Sequence, residues 1–450
     1  FFFKQKTAYE IPKRDWSSDV CSSDLVAGTL VGIETPAQSM NLEFKPYLSS
    51  SVTTDRTARV PFENDFTPNG GLDMKYGLTR GLTADFTINT DFAQVEEDQQ
   101  QVNLTRFSLF FPEKRDFFLE GQGIFDFGGQ SSRYGGGSNP ILFFSRRIGL
   151  SNGQAVPVTA GGRVTGKAGK FDVGALLINT GDKASAGAVS TSFSAARVRR
   201  NILRRSSIGM IATGRWPAAA GIDQSSTVGA DMDLRFFQNI QVNGYWAEVA
   251  SPGAHRDNTS YRTRFNYSGD RYGLELDRLM VDRRFNPEVG FVRRTDFAMT
   301  SVTARFSPRF RRSRLIRQLS WTGDLEYITN AAGERMDDRT LTGTFNLEFN
   351  NSDEIQVSAN HRYERLPSDF NIAPAVTLPA GAYLYDTVKL QYNMATQRKL
   401  VGTLSASRGS FYGGTRTTAE YTNGRIGFNA YLAVEPTLTV NWVDLPYGTF

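Results

Sequence analysis

The sequence predicts an all-β protein, an antiparallel up-and-down transmembrane β-barrel with a long irregular insertion. From about residue 41 to the end of the 450-residue chain, apolar and polar residues alternate with the period of two that is typical of strands. The alternating segments are about 8 to 11 residues long, close to the ~9 to 11 tilted residues with which a strand crosses a bilayer. No apolar run approaches the ~18 residues of a membrane-spanning helix.

Residues 319–327 show the alternation clearly. One face carries Leu319, Trp321, Leu325 and Tyr327, and the other carries Ser320, Thr322, Asp324 and Glu326. Roughly 18 to 20 such segments follow one another, and residues 426–434 are predicted to be one of them. Turn signals separate the segments, including residues 68–71, 269–270 and 350–353.

A soluble β-sandwich would also show alternation, so the choice depends on what lies on each face. The polar face often carries ionic side chains, namely Asp231, Asp233, Arg235, Asp324 and Glu326. A water-filled interior suits such groups, and aromatic residues near the segment ends resemble the girdles of membrane barrels. A closed barrel also removes the sheet edges that so long a β array would expose. These features favour the membrane barrel.

The first 25 residues, FFFKQKTAYEIPKRDWSSDVCSSDL, resemble the translation of a sequencing-library adapter. We therefore expect residues 1–25 to be a non-native segment and residues 26–450 to be one barrel domain, with the natural N-terminus and any signal peptide lost. The only cysteine, Cys21, lies in this segment. The natural part then has no cysteine for disulfides, thiol catalysis or metal ligation.

Residues 112–157, which we call the insertion, break the alternation. This stretch is rich in glycine, phenylalanine and charge, and a long irregular segment is either functional or disordered. Its aromatic residues Phe117, Phe118, Phe125 and Phe127 argue against disorder. Two interpretations stay open, a plug inside the barrel lumen and a long surface loop.

The segment from residue 89 to 125, NTDFAQVEEDQQQVNLTRFSLFFPEKRDFFLEGQGIF, resembles domain of unknown function 5916. The FFPEKRDFFLEG stretch carries most of the resemblance, and FSRRIG at residues 144–149 and GRVTGK at 162–167 are further landmarks. The departures are small: Thr90 and Asp116 stand where proline is usual, and Ala93 where glycine is usual.

The family is found in bacterial outer-membrane proteins, usually after a family-9-like carbohydrate-binding module. The resemblance implies a β-barrel in the outer membrane of a Gram-negative bacterium and no established activity. It covers about residues 41–450, and the carbohydrate module is absent. We expect the barrel to be incomplete at its C-terminus.

Enzyme signatures are scarce. The two histidines, His255 and His361, lie in no recognisable Ser/His/Asp or metal-binding pattern. Acidic residues 96–98 could hold calcium, but the DxDxDG signature is missing. We prefer to interpret these acidic residues, with the charged residues that follow them, as an ion-pair network that fastens the insertion to the lumen wall. We expect no metal and no cofactor, and the sequence leans against an enzyme.

Arginines are grouped at residues 305–317. Guanidinium groups pair with phosphate bidentately, so we expect Arg309, Arg311, Arg312 and Arg314 to contact lipid headgroups, either phospholipid or lipopolysaccharide. A solvated turn is the alternative. No motif supports nucleic-acid binding.

The leading hypothesis is a pore or transporter component with a polar lumen. Because the family usually carries a carbohydrate-binding module, the resemblance implies a glycan-derived solute. The alternatives are a barrel-borne hydrolase and a structural or adhesive surface protein. Lumen charges would set selectivity. The candidate residues for the lumen or plug network are Asp91, Glu96, Glu113, Lys114, Arg115, Glu120, Asp231, Asp233, Arg235, Asp324 and Glu326.

Overall fold

The computed structural model describes residues 41–55, 62–90, 109–129, 137–151, 154–219, 221–252, 256–373, 376–398, 400–427, 432–446 and 448–449. All of them belong to the compact unit Asn41–Phe450. The predicted adapter segment, Asp91 and Glu96 lie outside the described residues.

Strands make up most of the described chain. They are β1 (Leu42–Asp55), β2 (Phe62–Gly77), β3 (Leu82–Thr90), β4 (Leu150–Ser151), β5 (Gln154–Ala155), β6 (Val158–Ala168), β7 (Phe171–Thr180), β8 (Thr191–Ile202), β9 (Ser206–Pro217), β10 (Ser225–Phe236), β11 (Ile240–Ala250), β12 (Thr259–Ser268), β13 (Tyr272–Val281), β14 (Phe297–Phe306), β15 (Ile316–Thr329), β16 (Met336–Phe349), β17 (Glu354–Leu366), β18 (Phe370–Ala373), β19 (Val376–Leu378), β20 (Gly381–Asn393), β21 (Leu400–Phe411), β22 (Gly414–Gly427), β23 (Ala433–Val434), β24 (Leu438–Leu445) and β25 (Gly448–Thr449). The helices among the described residues are a single α-helical turn, α1 (Asp116–Leu119), and three 3₁₀ turns at Gln122–Phe125, Ser145–Arg147 and Ala184–Ala186.

One antiparallel sheet contains 21 of the described strands, and strands that are neighbours in sequence are neighbours in the sheet. The hairpins β4–β5 and β18–β19 stand apart from it. The predicted all-β, antiparallel, up-and-down architecture is therefore confirmed. The main strands are 8 to 16 residues long, somewhat longer than the sequence pattern indicates, because pairing continues past the point where alternation is clear.

The two ends of the sheet differ. Most connections at one end are short, as at residues 169–170 and 203–205, and we call this the short-turn end. Most connections at the other end are longer, and they include the insertion and residues 282–296, although residues 412–413 form a tight turn there. This long-loop end also carries the hairpin β18–β19.

Large apolar side chains are exposed on one face of the sheet, which we call the outer face. Leu341 is 52% exposed and Trp442 is 57% exposed. Further exposed apolar residues on strands include Leu42, Phe44, Val228, Trp246, Leu276, Trp321, Leu325, Val357, Leu384, Val388, Leu390 and Leu438. Soluble monomers rarely expose so large a contiguous apolar surface, and such a surface marks a site of contact with a membrane or with another protein. No helix among the described residues is long and apolar enough to cross a membrane.

The opposite, inner face carries the hydrophobic core. Phe118, Phe125 and Phe127 of the insertion pack there together with strand residues such as Ile178 and Phe297. A second apolar cluster forms where the hairpin β18–β19 packs on Tyr385, Phe411 and Tyr412. The core is thus built between the sheet and segments folded onto its inner face.

Two local predictions are wrong. Residues 68–71 are not a turn but lie inside β2, where Pro68 pairs with Ser50 and Gly71 pairs with Tyr47. A Cβ at Gly71 would collide with the Tyr47 ring, so this glycine makes room for a cross-strand aromatic side chain. Pro68 is tolerated because that part of β2 pairs with β1 alone in the described structure.

The described ends of the segment at residues 426–434 belong to two different strands, β22 and β23, and not to one. Ile426 pairs with Val434 across an antiparallel ladder, so the chain reverses direction between them. Alternation continues through this reversal, and periodicity alone could not reveal it.

Candidate functional site on the inner face

Two motifs of the insertion meet in a buried ion pair. The Glu113 carboxylate accepts hydrogen bonds from Nη2 of Arg115 at 2.6 Å and from Oγ of Ser145 at 2.7 Å. The Arg115 guanidinium also donates to the carbonyl oxygens of Ile148 at 2.8 Å and Ser145 at 2.7 Å. Glu113 and Arg115 are only 6% and 5% exposed. This pair therefore holds the PEKRDFF stretch against the FSRRIG stretch.

The same contacts set the ionisation of Glu113. Burial opposes a charged carboxylate, but the hydrogen bonds and positive charge of Arg115, together with Ser145, outweigh it and hold the Glu113 pKa below its ordinary value. Lys114 lies beside the pair, and its backbone N–H donates to Glu113 Oε1 at 3.0 Å. Glu113 and Arg115 thus form a fixed structural anchor.

Glu120 fastens the insertion to the sheet. Its carboxylate forms an ion pair with Lys75 on β2 and lies 3.5 Å from Nη2 of Arg163 on β6. Arg163 is also paired with Asp85 on β3 at 2.8 Å. The neighbouring Gly121 packs on Thr165, near the short-turn end of β6. The insertion therefore reaches from the long-loop end almost to the short-turn end.

A second attachment lies farther along the sheet, at β10. Oδ1 and Oδ2 of Asp231 accept hydrogen bonds from the Arg197 guanidinium at 2.7 and 2.8 Å. Oδ2 also accepts the backbone N–H of Gly128 at 3.0 Å. The ring of Phe127 lies 5.3 Å from that of Tyr245 on β11. Residues 120–128 are thus held at both ends.

Strand glycines let the insertion approach closely. A Cβ on Gly229 would lie 2.6 Å from the Phe127 ring, and one on Gly174 would lie 2.8 Å from Ile124. Real Cβ atoms do not tolerate such distances. The glycines of β7 and β10 therefore shape the inner face to fit the insertion.

The strands after β14 enclose a polar cavity of about 650 Å³. Its wall carries hydroxyl and amide side chains, namely Thr342, Ser358, Asn360, Thr387, Ser407, Ser410, Thr418 and Asn441. It also carries the charged residues Arg293, Arg294, Glu326, Asp338, Arg362, Glu364, Lys389, Arg416 and Glu420. Ser138 of the insertion borders it. The cavity lies in the half of the inner face that the phenylalanines of the insertion do not fill.

Most charges in the cavity are paired. Arg362 lies 2.7 Å from Asp338, and Lys389 lies 3.2 Å from Glu420. The hydroxyls of Tyr385 and Tyr412 donate to Glu364 Oε2 at 2.9 and 3.1 Å. Such pairing keeps buried charges tolerable and fixes the geometry of the wall.

The remaining predicted network residues are spread along the inner face. Asp233 pairs with Arg235 at 3.4 Å and accepts from Gln241 at 2.8 Å. Asp324 accepts from Thr303 at 2.6 Å, and Glu326 lines the cavity. The predicted lumen or plug residues therefore do not form one network. Glu113, Glu120 and Asp231 hold the insertion, whereas Asp233, Asp324 and Glu326 lie in separate places on the inner face.

The arginine turn lies at the short-turn end, between β14 and β15. Arg309 pairs with Asp270 at 2.7 Å, while Arg311, Arg312 and Arg314 are exposed. The structure thus places these three guanidinium groups at the surface, and their contact with lipid stays a prediction.

Sequence reasoning missed the cavity wall formed by Arg362, Glu364, Tyr385, Lys389 and Arg416. The alternation in β17, β20 and β22 places these side chains on the polar face of the sheet. The sequence pattern does not show that these strands enclose a space that the insertion leaves open. Among the described residues, no group of three or more Asp, Glu, His or Cys side chains is placed to hold a metal ion.

Comparison with known protein families matches residues 38–171 to Domain of unknown function (DUF5916). The match contains the PEKRDFF and FSRRIG stretches and the strands β1 to β3 and β6, so the resemblance seen in the sequence is confirmed for this part of the chain. No curated protein and no solved structure matches the chain.

Proposed function

We propose that this chain forms an outer-membrane β-barrel whose polar interior is a restricted pathway for a solute. The observation that carries the proposal is the contrast between neighbouring residues of one strand. Leu341 is 52% exposed on the outer face, and Thr342 lines the polar cavity. Lipid would cover the outer face, and water would fill the cavity.

The two ends of the sheet suggest an orientation. Outer-membrane barrels have short turns on the periplasmic side and longer loops outside. The insertion would then enter from the external end, and its Glu120 would contact Lys75, two residues from the periplasmic end of β2. The Arg311, Arg312 and Arg314 side chains would face the periplasmic leaflet, where phospholipid, and not lipopolysaccharide, supplies the headgroup phosphates.

The insertion would act as a constriction. It covers the inner face of β6, β7, β8, β10 and β11 through Phe125, Phe127 and their neighbours. The cavity beside the later strands would leave a side passage that is lined with charges and hydroxyls. In such a passage, the charged side chains set which solutes enter.

Planar bilayer recordings test this function. The purified chain is compared with a variant in which a Gly/Ser linker of equal length replaces residues 116–129. We expect small single-channel conductance for the chain and a several-fold larger conductance for the variant. A control variant replaces residues 330–335, a connection at the same end of the sheet, and should behave as the unmodified chain. Heat-modifiable migration on gels would show that both proteins are folded barrels. If neither the folded chain nor the folded linker variant then gave any conductance, the result would contradict a pore and favour a structural role.

A further inference from the structure

We propose that the cavity contains an anion-binding site, centred on Arg416, for a polyhydroxylated solute that carries a carboxylate. This inference rests on the proposed function, because it names the kind of solute that would use the pathway. The site is tested by a binding measurement in detergent solution, whereas the pore is tested by conductance in bilayers. Either proposal can therefore be contradicted without contradicting the other.

Arg416 differs from the other cations of the cavity. Its guanidinium lies 4.3 Å from the centroid of the Phe411 ring, and it makes no hydrogen bond or ion pair with any residue that the structure describes. In contrast, Arg362 and Lys389 pair with Asp338 and Glu420. Arg294 is paired with Asp337 at 2.7 Å. Arg416 therefore keeps its donors available to a ligand while the ring holds its position.

Arg416 borders the cavity together with polar residues of the neighbouring strands. In the sheet register, Arg416 is opposite Gly409 of β21, which is opposite Thr387 of β20, and Thr387 is opposite Asn360 of β17. Side chains opposite each other in a sheet point to the same face. A Cβ at Gly409 would lie 2.5 Å from Thr387 Oγ1, so this glycine lets the Thr387 hydroxyl approach closely. Arg416, Thr387 and Asn360 all line the cavity, so a guanidinium, a hydroxyl and an amide share this part of its wall.

The adjacent row continues this chemistry. Ser358, Lys389, Ser407, Thr418 and Asn441 are successive cross-strand partners. Lys389 is paired with Glu420, so most of the row presents neutral hydrogen-bonding groups. Hydroxyls and amides can both donate and accept, as the hydroxyls of a sugar require.

An aromatic cluster supports the site from behind. Tyr385, Phe411 and Tyr412 have ring centroids 4.7 to 6.0 Å apart, and the two tyrosine hydroxyls are already engaged by Glu364. The three residues are buried, at 5%, 9% and 4% exposed, so they form a rigid wall that fixes the position of Arg416. A guanidinium fork pairs bidentately with a carboxylate. Together these groups match a sugar acid better than a neutral sugar or a small inorganic anion.

Isothermal titration of the folded chain in detergent micelles tests the site, with glucuronate, glucose, acetate and inorganic phosphate as probes. We expect glucuronate to bind at least 10-fold more tightly than each of the others. Arg416→Gln should weaken glucuronate binding about 10-fold to about 100-fold, as loss of a charged hydrogen-bonding partner does, and Arg416→Lys should weaken it less. The matched control, Arg311→Gln, removes an exposed arginine at the short-turn end and should leave affinity unchanged.

Equal glucuronate affinity of the unmodified chain and Arg416→Gln would overturn the proposal. Glucose binding as tight as glucuronate binding would overturn the anion requirement, and preferential phosphate binding would overturn the carboxylate assignment. The comparison of probes uses the unmodified chain, so it remains decisive even where Arg416→Gln does not fold.

Discussion

The backbone N–H of Gly128 donates a hydrogen bond of 3.0 Å to Asp231 Oδ2, which joins residues 103 positions apart. The same carboxylate accepts two hydrogen bonds from Arg197, whose side chain is 1% exposed. One aspartate thus neutralises a buried cation and holds the insertion against β10. The position of the insertion and the stability of the sheet are coupled at this residue.

Asp231→Asn should destabilise the protein by about 3 to 5 kcal/mol, because it leaves Arg197 buried without its counter-charge. The measurement is denaturant unfolding in detergent micelles, followed by tryptophan fluorescence. Asp233→Asn, two residues away on the same face, is the control. Its ion-pair partner Arg235 is 52% exposed, so the loss should stay below about 1 kcal/mol. Equal effects of the two variants would show that the Arg197 pair has no special role.

Gly229→Ala should destabilise the protein by about 1 to 3 kcal/mol, because the new methyl group would collide with the Phe127 ring, 2.6 Å from the Cβ position. Gly323→Ala is the matched control, a strand glycine whose Cβ position has no atom within 4 Å. Unfolding midpoints of the two variants give the comparison. A midpoint for Gly229→Ala that equals the control would place Phe127 away from β10.

Acid should loosen the insertion through Glu113. Its pKa in the folded protein is below its ordinary value, so its contribution to stability is present above the unfolded pKa of ~4.3 and is lost as pH falls through the folded pKa. The protection factors of residues 109–129 and 137–151 against hydrogen exchange, corrected for the intrinsic exchange rate at each pH, should therefore fall at low pH.

Glu113→Gln should lower these protection factors already at neutral pH and remove most of their pH dependence. Asp116→Asn changes an exposed carboxyl in the same segment and should leave the acid response in place. Persistence of the full acid response in Glu113→Gln would assign it to other groups.

Alternation predicted the fold class and the approximate number of strands because each strand exposes one apolar and one polar face. It failed at Gly71, whose role depends on Tyr47 of the neighbouring strand, and at Ile426, which pairs with Val434 across a reversal. These features depend on partners that a single segment does not reveal.

The insertion was recognised as irregular, but its depth could not be predicted. The ion pair of Glu113 and Arg115 connects to Ser145 and Ile148, about thirty residues later, a contact that only the folded chain creates. The cavity around Arg416 escaped prediction for the same reason, since its wall comes from strands β15 to β24.

The assignment of the two faces is tested most directly by site-specific labelling in lipid vesicles. Single cysteines at Leu341 and Thr342, in a Cys21→Ser background, carry the same environment-sensitive fluorophore. We predict that a lipid-dissolved quencher reaches the label at residue 341 and that a water-soluble quencher reaches the label at residue 342. Equal access of the water-soluble quencher to both positions would contradict a lipid-covered outer face and a wet interior.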